Sequence, residues 1–202
     1  MKLRCNLTPV MLGILAGPIL LLSVVTFGFL EDGYSHMNNS VSSLGALAAQ
    51  NTLLFNLVGL LTPGLLVAVS FYVQYSILGR QLIDRIIYFS VVVFGVMFAG
   101  LALPMDLDPI PRLGVTAHYI LAYTSVAPFL LSASLMVYKQ RKKLSKAPLI
   151  WVFPAVFIII EISGAFGVGG GLVQRGLLVC IFLWISVVCF QSRAVLVGGK
   201  NV

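Results

Sequence analysis

Charge is what this 202-residue chain has least of: only 9% of its residues are charged, where a water-soluble domain carries about 25%. Asp and Glu together number six and histidine two. So little charge cannot cover a water-facing surface, which excludes an ordinary soluble globular domain. Cysteine is also scarce, with Cys5, Cys180 and Cys189 alone. No CxxC or Cys/His ligand spacing exists, which argues against a disulfide framework and a zinc knuckle. Cys180 and Cys189 lie nine residues apart on one run, about 13 Å along a helix and beyond bridging distance. The period-two alternation of a barrel is missing. The glycines of "GVGGG" (167–171) lack the Gly-Lys-Ser/Thr ending and preceding strand of a phosphate cradle, and read as a flexible turn between two spans.

Long apolar runs are abundant. The chain is 59% hydrophobic, with a mean hydropathy of +1.04. Six runs cover approximately 9–30, 52–78, 86–103, 114–138, 148–168 and 176–197. Most reach the ~20 residues that a helix needs to cross a bilayer. Backbone polar groups in lipid must be satisfied within the segment, so the runs read as helices. The first is long for a signal peptide and has no convincing cleavage site, so it is expected to be retained. The fold predicted is all-α: a polytopic membrane protein forming a single six-transmembrane-helix domain.

Basic residues set the orientation. With the N-terminus inside, the inner face receives Lys2, Arg4, Arg80, Arg85, Lys139, Arg141, Lys142, Lys143, Lys146, Arg193 and Lys200. The outer face keeps Arg112 and Arg175. That imbalance predicts both termini cytoplasmic, in the plasma membrane of a bacterium or archaeon. The partners expected are membrane lipids; "KQRKKLSK" (139–146) is read first as fixing topology and second as a site for anionic headgroups. The net charge of +7 does not indicate nucleic acid, because the bases line one membrane face and no nucleic-acid motif accompanies them. No protein partner or cofactor can be assigned from sequence. "NNS" at Asn38 matches a glycosylation acceptor, a short pattern of low specificity.

Nearly all the remaining polar chemistry falls in the outer half. The first outer connection, "GYSHMNNSVSSLGALAAQN" (33–51), holds Ser35, His36, Asn38 and Ser42. The second, "LPMDLDPIPR", holds Asp106 and Asp108, and the third holds Gln174 and Arg175. Two ionisable residues fall within the runs. His118 lies about 6 Å and Glu161 about 10 Å from that face, at 1.5 Å per residue. A carboxylate in a membrane faces the bundle interior and marks either a functional site or a structural lock, Glu161 here pairing with Arg175 or staying protonated. A lone histidine such as His118 often only bridges helices. Asn56, Gly59, Pro63, Ser70 and Gln74 share one helical face, which suits close packing, with Asn56 also able to line the outer pocket. Segment 33–51 is expected to fold back as a short helical or re-entrant cap. Ser and Asn initiate helices, and Leu44 and Leu47, three apart, are expected to pack on one face.

With these motifs in view, the chain resembles the domain-of-unknown-function 998 family. "YSHMNNSVSSLGA" is similar to that family's first motif, a tyrosine–serine start followed by "ISELGA". "FNLVGLLTPG" resembles its second span through Asn56 and Gly64, and "LPMDLDP" its proline–aspartate segment through Pro104 and Asp106. "TAHYI" matches the next helix start through His118, and "GLVQR" the last motif through Gly171, Gln174 and Arg175. Ser43 stands where the family has glutamate, and Met105 where it often has cysteine. If that glutamate is catalytic in relatives, the resemblance implies loss of the activity here, or its transfer to Asp106 or Glu161. The family implies a six-span membrane protein and no established reaction.

Three functions compete. An enzyme at the outer leaflet, a hydrolase or transferase on lipid or envelope substrates, would use Asp106 as base or metal ligand and His118 as acid, base or ligand. Ser35 or Ser42 would serve as nucleophile or substrate contact, and Glu161 as a further candidate. His36, Asp106 and His118 are the possible metal ligands. A transporter would relay protons through Glu161 and His118 and break its second helix at "TPG". Against it, no inverted repeat is visible and the polar residues stop in the outer half. A structural or lipid-interacting protein would use the outer network only to hold its loops.

Overall fold

The computed structural model of the chain describes residues 7–103, 113–140 and 170–197. They form five helices: α1 (Leu7–Leu30), α2 (Thr52–Leu78), α3 (Leu82–Gly100), α4 (Leu113–Gln140) and α5 (Gly170–Val197). A short 3₁₀ turn, Val41–Gly45, lies in the connection between α1 and α2. No β-strand occurs among the described residues. Each helix contains a stretch long and apolar enough to cross a membrane. The run at 148–168, with Glu161, lies outside the described residues.

Helix α1 packs against α2 and α5, α2 against α3, and α3 against α4. Their shared core is aromatic. The Phe94 ring lies 6.0 Å from that of Phe129, Phe98 lies 5.3 Å from Phe182, and Phe129 meets Trp184 edge-on at 5.3 Å. Large apolar side chains on the outside (Leu22, Leu65, Val69, Phe89, Val96, Leu183) are exposed. In water such a surface would aggregate; in lipid it is solvated. With no hydrophobic force between helices in lipid, association depends on fit. At the α2–α3 crossing, a Cβ on Gly64 would come 2.5 Å from Ala99 N and 2.7 Å from Gly95 O, so only glycine permits this approach.

Three boundaries differ from the sequence expectation. "TPG" does not break α2. Residues Asn56–Leu61 widen into a π-helical turn, and Thr62 sends both its N–H and its hydroxyl (2.8 Å) to the Leu57 carbonyl. That turn absorbs the missing N–H and bulky ring of Pro63, and the helix continues. α3 begins at Leu82 rather than near 86, after Gln81 in extended backbone, so Asp84 sits inside its first turn, where a carboxylate suits the helix dipole. α5 begins at Gly170, not 176, so Gln174 and Arg175 stand on its first turns rather than in a loop.

Candidate functional site

The connection that follows α1 bonds to the first turns of α2, α4 and α5, through Asn56, His118 and Gln174, and Leu101 at the end of α3 reaches His118, so these helix ends meet at one end of the bundle. Over them, residues 31–51 fold back as a cap. Gly33 (φ 72°) turns the chain. Ser40 then starts the 3₁₀ turn, its hydroxyl accepting from Ser43 N–H at 3.2 Å. Val41 and Leu44 are buried under the cap, whereas Leu47 is 60% exposed. The expected Leu44–Leu47 packing face therefore does not form. The turn ends at Ala46, so the helical spacing that would align the two leucines is never reached.

The first turns of α5 hold this cap. Gln174 Oε1 accepts from Val41 N–H at 2.6 Å, and Leu172 N–H donates to Met37 O at 3.1 Å. Arg175 donates to Asn39 O at 2.9 Å, to Gly171 O at 2.7 Å and to the Tyr34 hydroxyl, with its guanidinium 5.5 Å from the Tyr34 ring centre. Tyr34 in turn donates to Ser40 O at 3.1 Å. Burial raises the Tyr34 phenol above its ordinary pKa, outweighing the opposing pull of Arg175. The hydroxyl therefore stays protonated and able to donate. From below, Asn56 Nδ2 donates to Gly45 O at 3.0 Å. Its Oδ1 is buried without a hydrogen-bond partner.

This clamp sets Ser42 over α4. Ser42 Oγ lies 2.9 Å from His118 Nε2, joining residues 76 apart in sequence. His118 is 5% exposed. Its Nδ1 is buried without an aligned partner, although the Leu101 backbone reaches the ring. A hydroxyl on an imidazole nitrogen is the arrangement by which histidine takes a proton from a nucleophile.

The other candidates are placed differently. Ser35 receives no contact from His118; its N–H donates to Asn39 Oδ1 at 2.8 Å. His36 packs edge-on to Tyr34 (5.3 Å) and Phe29 (5.5 Å), with Nε2 buried and unpartnered. Asn38 is exposed, its N–H bonded to Ser35 O. Asp106, Asp108 and Glu161 lie outside the described residues. Among those described, no group of three or more His, Cys, Asp or Glu side chains is placed to hold a metal.

Polar chemistry also occurs at the opposite end, contrary to the expectation that it stops in the outer half. Asp84, 7% exposed, pairs with Lys139 of α4. Gln74 Nε2 donates to Ser70 Oγ at 3.2 Å and to Cys189 Sγ at 3.4 Å. Tyr88 bonds to Ser192. Asp84 is an ionisable residue three positions into a helix that starts after the extended Gln81. Cys180 and Cys189 are both buried, and neither forms a disulfide among the described residues.

An all-helical bundle with apolar outer faces and a clamped polar cap defines a membrane-type helical protein. The chain belongs to the family described as "Protein of unknown function (DUF998)", whose model matches residues 14–191. Comparison with curated proteins and with solved structures finds no match.

Proposed function

We propose that the protein is a six-span membrane enzyme, a hydrolase or transferase of lipid or envelope substrates, with Ser42 as nucleophile and His118 as general base. The observation that carries this reading is the 2.9 Å Ser42–His118 contact, formed between a cap residue and a helix residue under the cap. With His118 protonated on Nδ1, its Nε2 accepts the Ser42 proton as Oγ attacks. The same proton then passes to the leaving group. Asp106 stays a candidate base or metal ligand, on the sequence alone. The basic-residue imbalance supports cytoplasmic termini and an outward-facing cap in the plasma membrane.

The test is covalent. Purified protein is exposed to a fluorophosphonate probe and the modified residue is mapped by mass spectrometry. Labelling at Ser42 that disappears in His118→Gln, while the variant keeps its melting temperature, supports the pair. An unlabelled Ser42 in folded protein overturns it. Orientation is tested separately: cysteine at Ser40 is expected to label in intact cells, and cysteine at Lys142 only after permeabilisation.

A non-catalytic membrane protein is the second reading. It draws on the many cap groups already spent on one another, from Tyr34 and Asn39 to Gln174 and Arg175. Under it, Ser42 merely fastens the cap to α4.

A further inference from the structure

Two features of the bundle fix the depth of the Ser42–His118 pair without reference to which side is outside. The first is the ion pair at the far end. A charged Asp84–Lys139 pair belongs at the edge of the hydrocarbon layer, because charge in its centre is costly. Lys139 and His118 stand on the same helix, 21 residues apart, or about 31 Å at 1.5 Å per residue. The hydrocarbon core is about 30 Å thick. Helix α3 gives a second ruler. From Asp84 to Leu101, whose backbone reaches the His118 ring, is 17 residues, or about 26 Å at the same rise.

The second feature is aromatic. Tyr119 and Tyr123 stack 6.4 Å apart on the outer surface of α4, and Tyr119 stands edge-on to His118 at 6.3 Å. Both are at least half exposed. At the other end Tyr138, next to Lys139, and Tyr72, stacked on Tyr75, are also more than half exposed. Tyrosines concentrate at the two membrane–water interfaces. The two belts therefore mark the same two levels as the charge and the histidine.

From these levels we infer that the bond attacked at Ser42 is the acyl ester of a membrane glycerolipid, the group that lies where hydrocarbon meets headgroup. The inference rests on the Ser42–His118 reading above and adds the substrate class. Ser42 Oγ bonds to the ester carbonyl carbon while its proton moves to His118 Nε2. The carbonyl carbon–oxygen bond to glycerol breaks, and the glycerol oxygen leaves with the proton from His118. Acyl-Ser42 remains. Water, or the hydroxyl of a second lipid or glycan, then takes the acyl group and restores the serine.

The experiment uses the full chain in vesicles of phosphatidylethanolamine and phosphatidylglycerol with labelled acyl chains, beside vesicles of the diether analogues. Expected are labelled fatty acid or transacylated lipid from the diacyl vesicles, no product from the diether vesicles, and at least a hundredfold loss in Ser42→Ala. Fluorophosphonate labelling of Ser42 is measured on the same samples. Labelling without any acyl product overturns the ester inference and leaves the serine–histidine enzyme standing. Release of a phosphate-bearing headgroup from both vesicle types does the same and moves the reaction outward to the phosphate. Neither labelling nor product, in protein that melts normally, overturns both.

Discussion

The bundle has two polar ends, and they are built in opposite ways. At the end away from the cap, polar groups belong to helices and mostly satisfy one another: Asp84 with Lys139, Gln74 with Ser70 and Cys189, Ser132 with the Ile87 carbonyl. At the capped end, a connection supplies the groups, and several buried atoms keep unused capacity: His36 Nε2, Asn56 Oδ1 and Arg175 Nε. Native proteins leave few buried polar atoms unpaired, and those left call for an explanation such as a bound group or a catalytic role. Gln74 Oε1 is the exception at the far end, so the contrast is one of degree: the helix-borne network is largely spent on holding helices together, and the capped one keeps more unpaired groups beside a nucleophile.

The largest effect expected separates the two ends by activity. Ser42→Ala or His118→Gln is expected to lower turnover by about 10²–10⁴, the range for loss of general acid–base assistance, with little change in thermal unfolding. Asp106→Ala is expected to abolish activity likewise. Gln74→Leu, at the other end, is expected to spare turnover per folded molecule. If Ser42→Ala retains full activity, the capped end is structural like its counterpart and the contrast disappears.

The next effect is on stability and reverses the pattern. Removing one partner of a buried ion pair costs about 3–5 kcal/mol. Lys139 is 42% exposed, so water repays part of the loss, and Lys139→Met is expected to cost about 1–3 kcal/mol. Thermal unfolding in detergent measures it. Asp84→Leu combined with Lys139→Met is expected to recover much of the loss, because no charge is then stranded. A double variant that loses as much as the two single changes added together would show that the two residues are not coupled.

This contrast also explains what the sequence reveals. Apolar runs depend on length and composition, so five of the six expected helices emerge close to their places. Ser40 as a helix start is legible because its side chain acts on a neighbour three residues away. The Ser42–His118 contact is not legible as a pair. It depends on the cap folding over α4, which is decided by Gln174 and Arg175 more than 130 residues away. Asp84 is hidden in the sequence for a local reason. Hydropathy places the start of a span at its first long apolar stretch, whereas the helix starts where the backbone leaves the extended conformation at Gln81. The exposed Leu47 shows the converse: spacing suggests a shared face only while the helix lasts.

A smaller effect probes the clamp. Gln174→Ala removes the acceptor of Val41 N–H, a loss of about 1 kcal/mol for one hydrogen bond. The bundle is expected to keep its melting temperature within a few degrees. The Val41 amide is expected to exchange its hydrogen several times faster, and turnover to fall several-fold because Ser42 follows directly. Unchanged exchange at Val41 would mean that the cap is held from α2, through Asn56 and Gly45, and not from α5.

The smallest effect concerns pH and is confined to the capped end. Burial raises the Tyr34 pKa above its ordinary value of 10.0, so folding favours the neutral phenol. The sign follows: a group whose folded pKa is raised contributes fully below the unfolded value, and the contribution is lost as pH rises through the folded one. The cap is therefore expected to stay closed through neutral and mildly alkaline pH and to loosen only above about pH 10. Ionisation there removes the proton donated to Ser40 O, although it strengthens the attraction to Arg175. Hydrogen exchange at Ser43, whose N–H is held by Ser40, reports the loosening. In Tyr34→Phe the donor is absent at every pH, so the protection of the Ser43 amide, relative to an unfolded amide at the same pH, is expected to be lower and flat across that range. The Asp84–Lys139 end, which Tyr34 does not touch, is expected to show the same melting behaviour in both proteins. A Tyr34→Phe variant with the wild-type pH profile would remove the phenol from the clamp and leave Arg175 to hold the cap through the backbone of Asn39 alone.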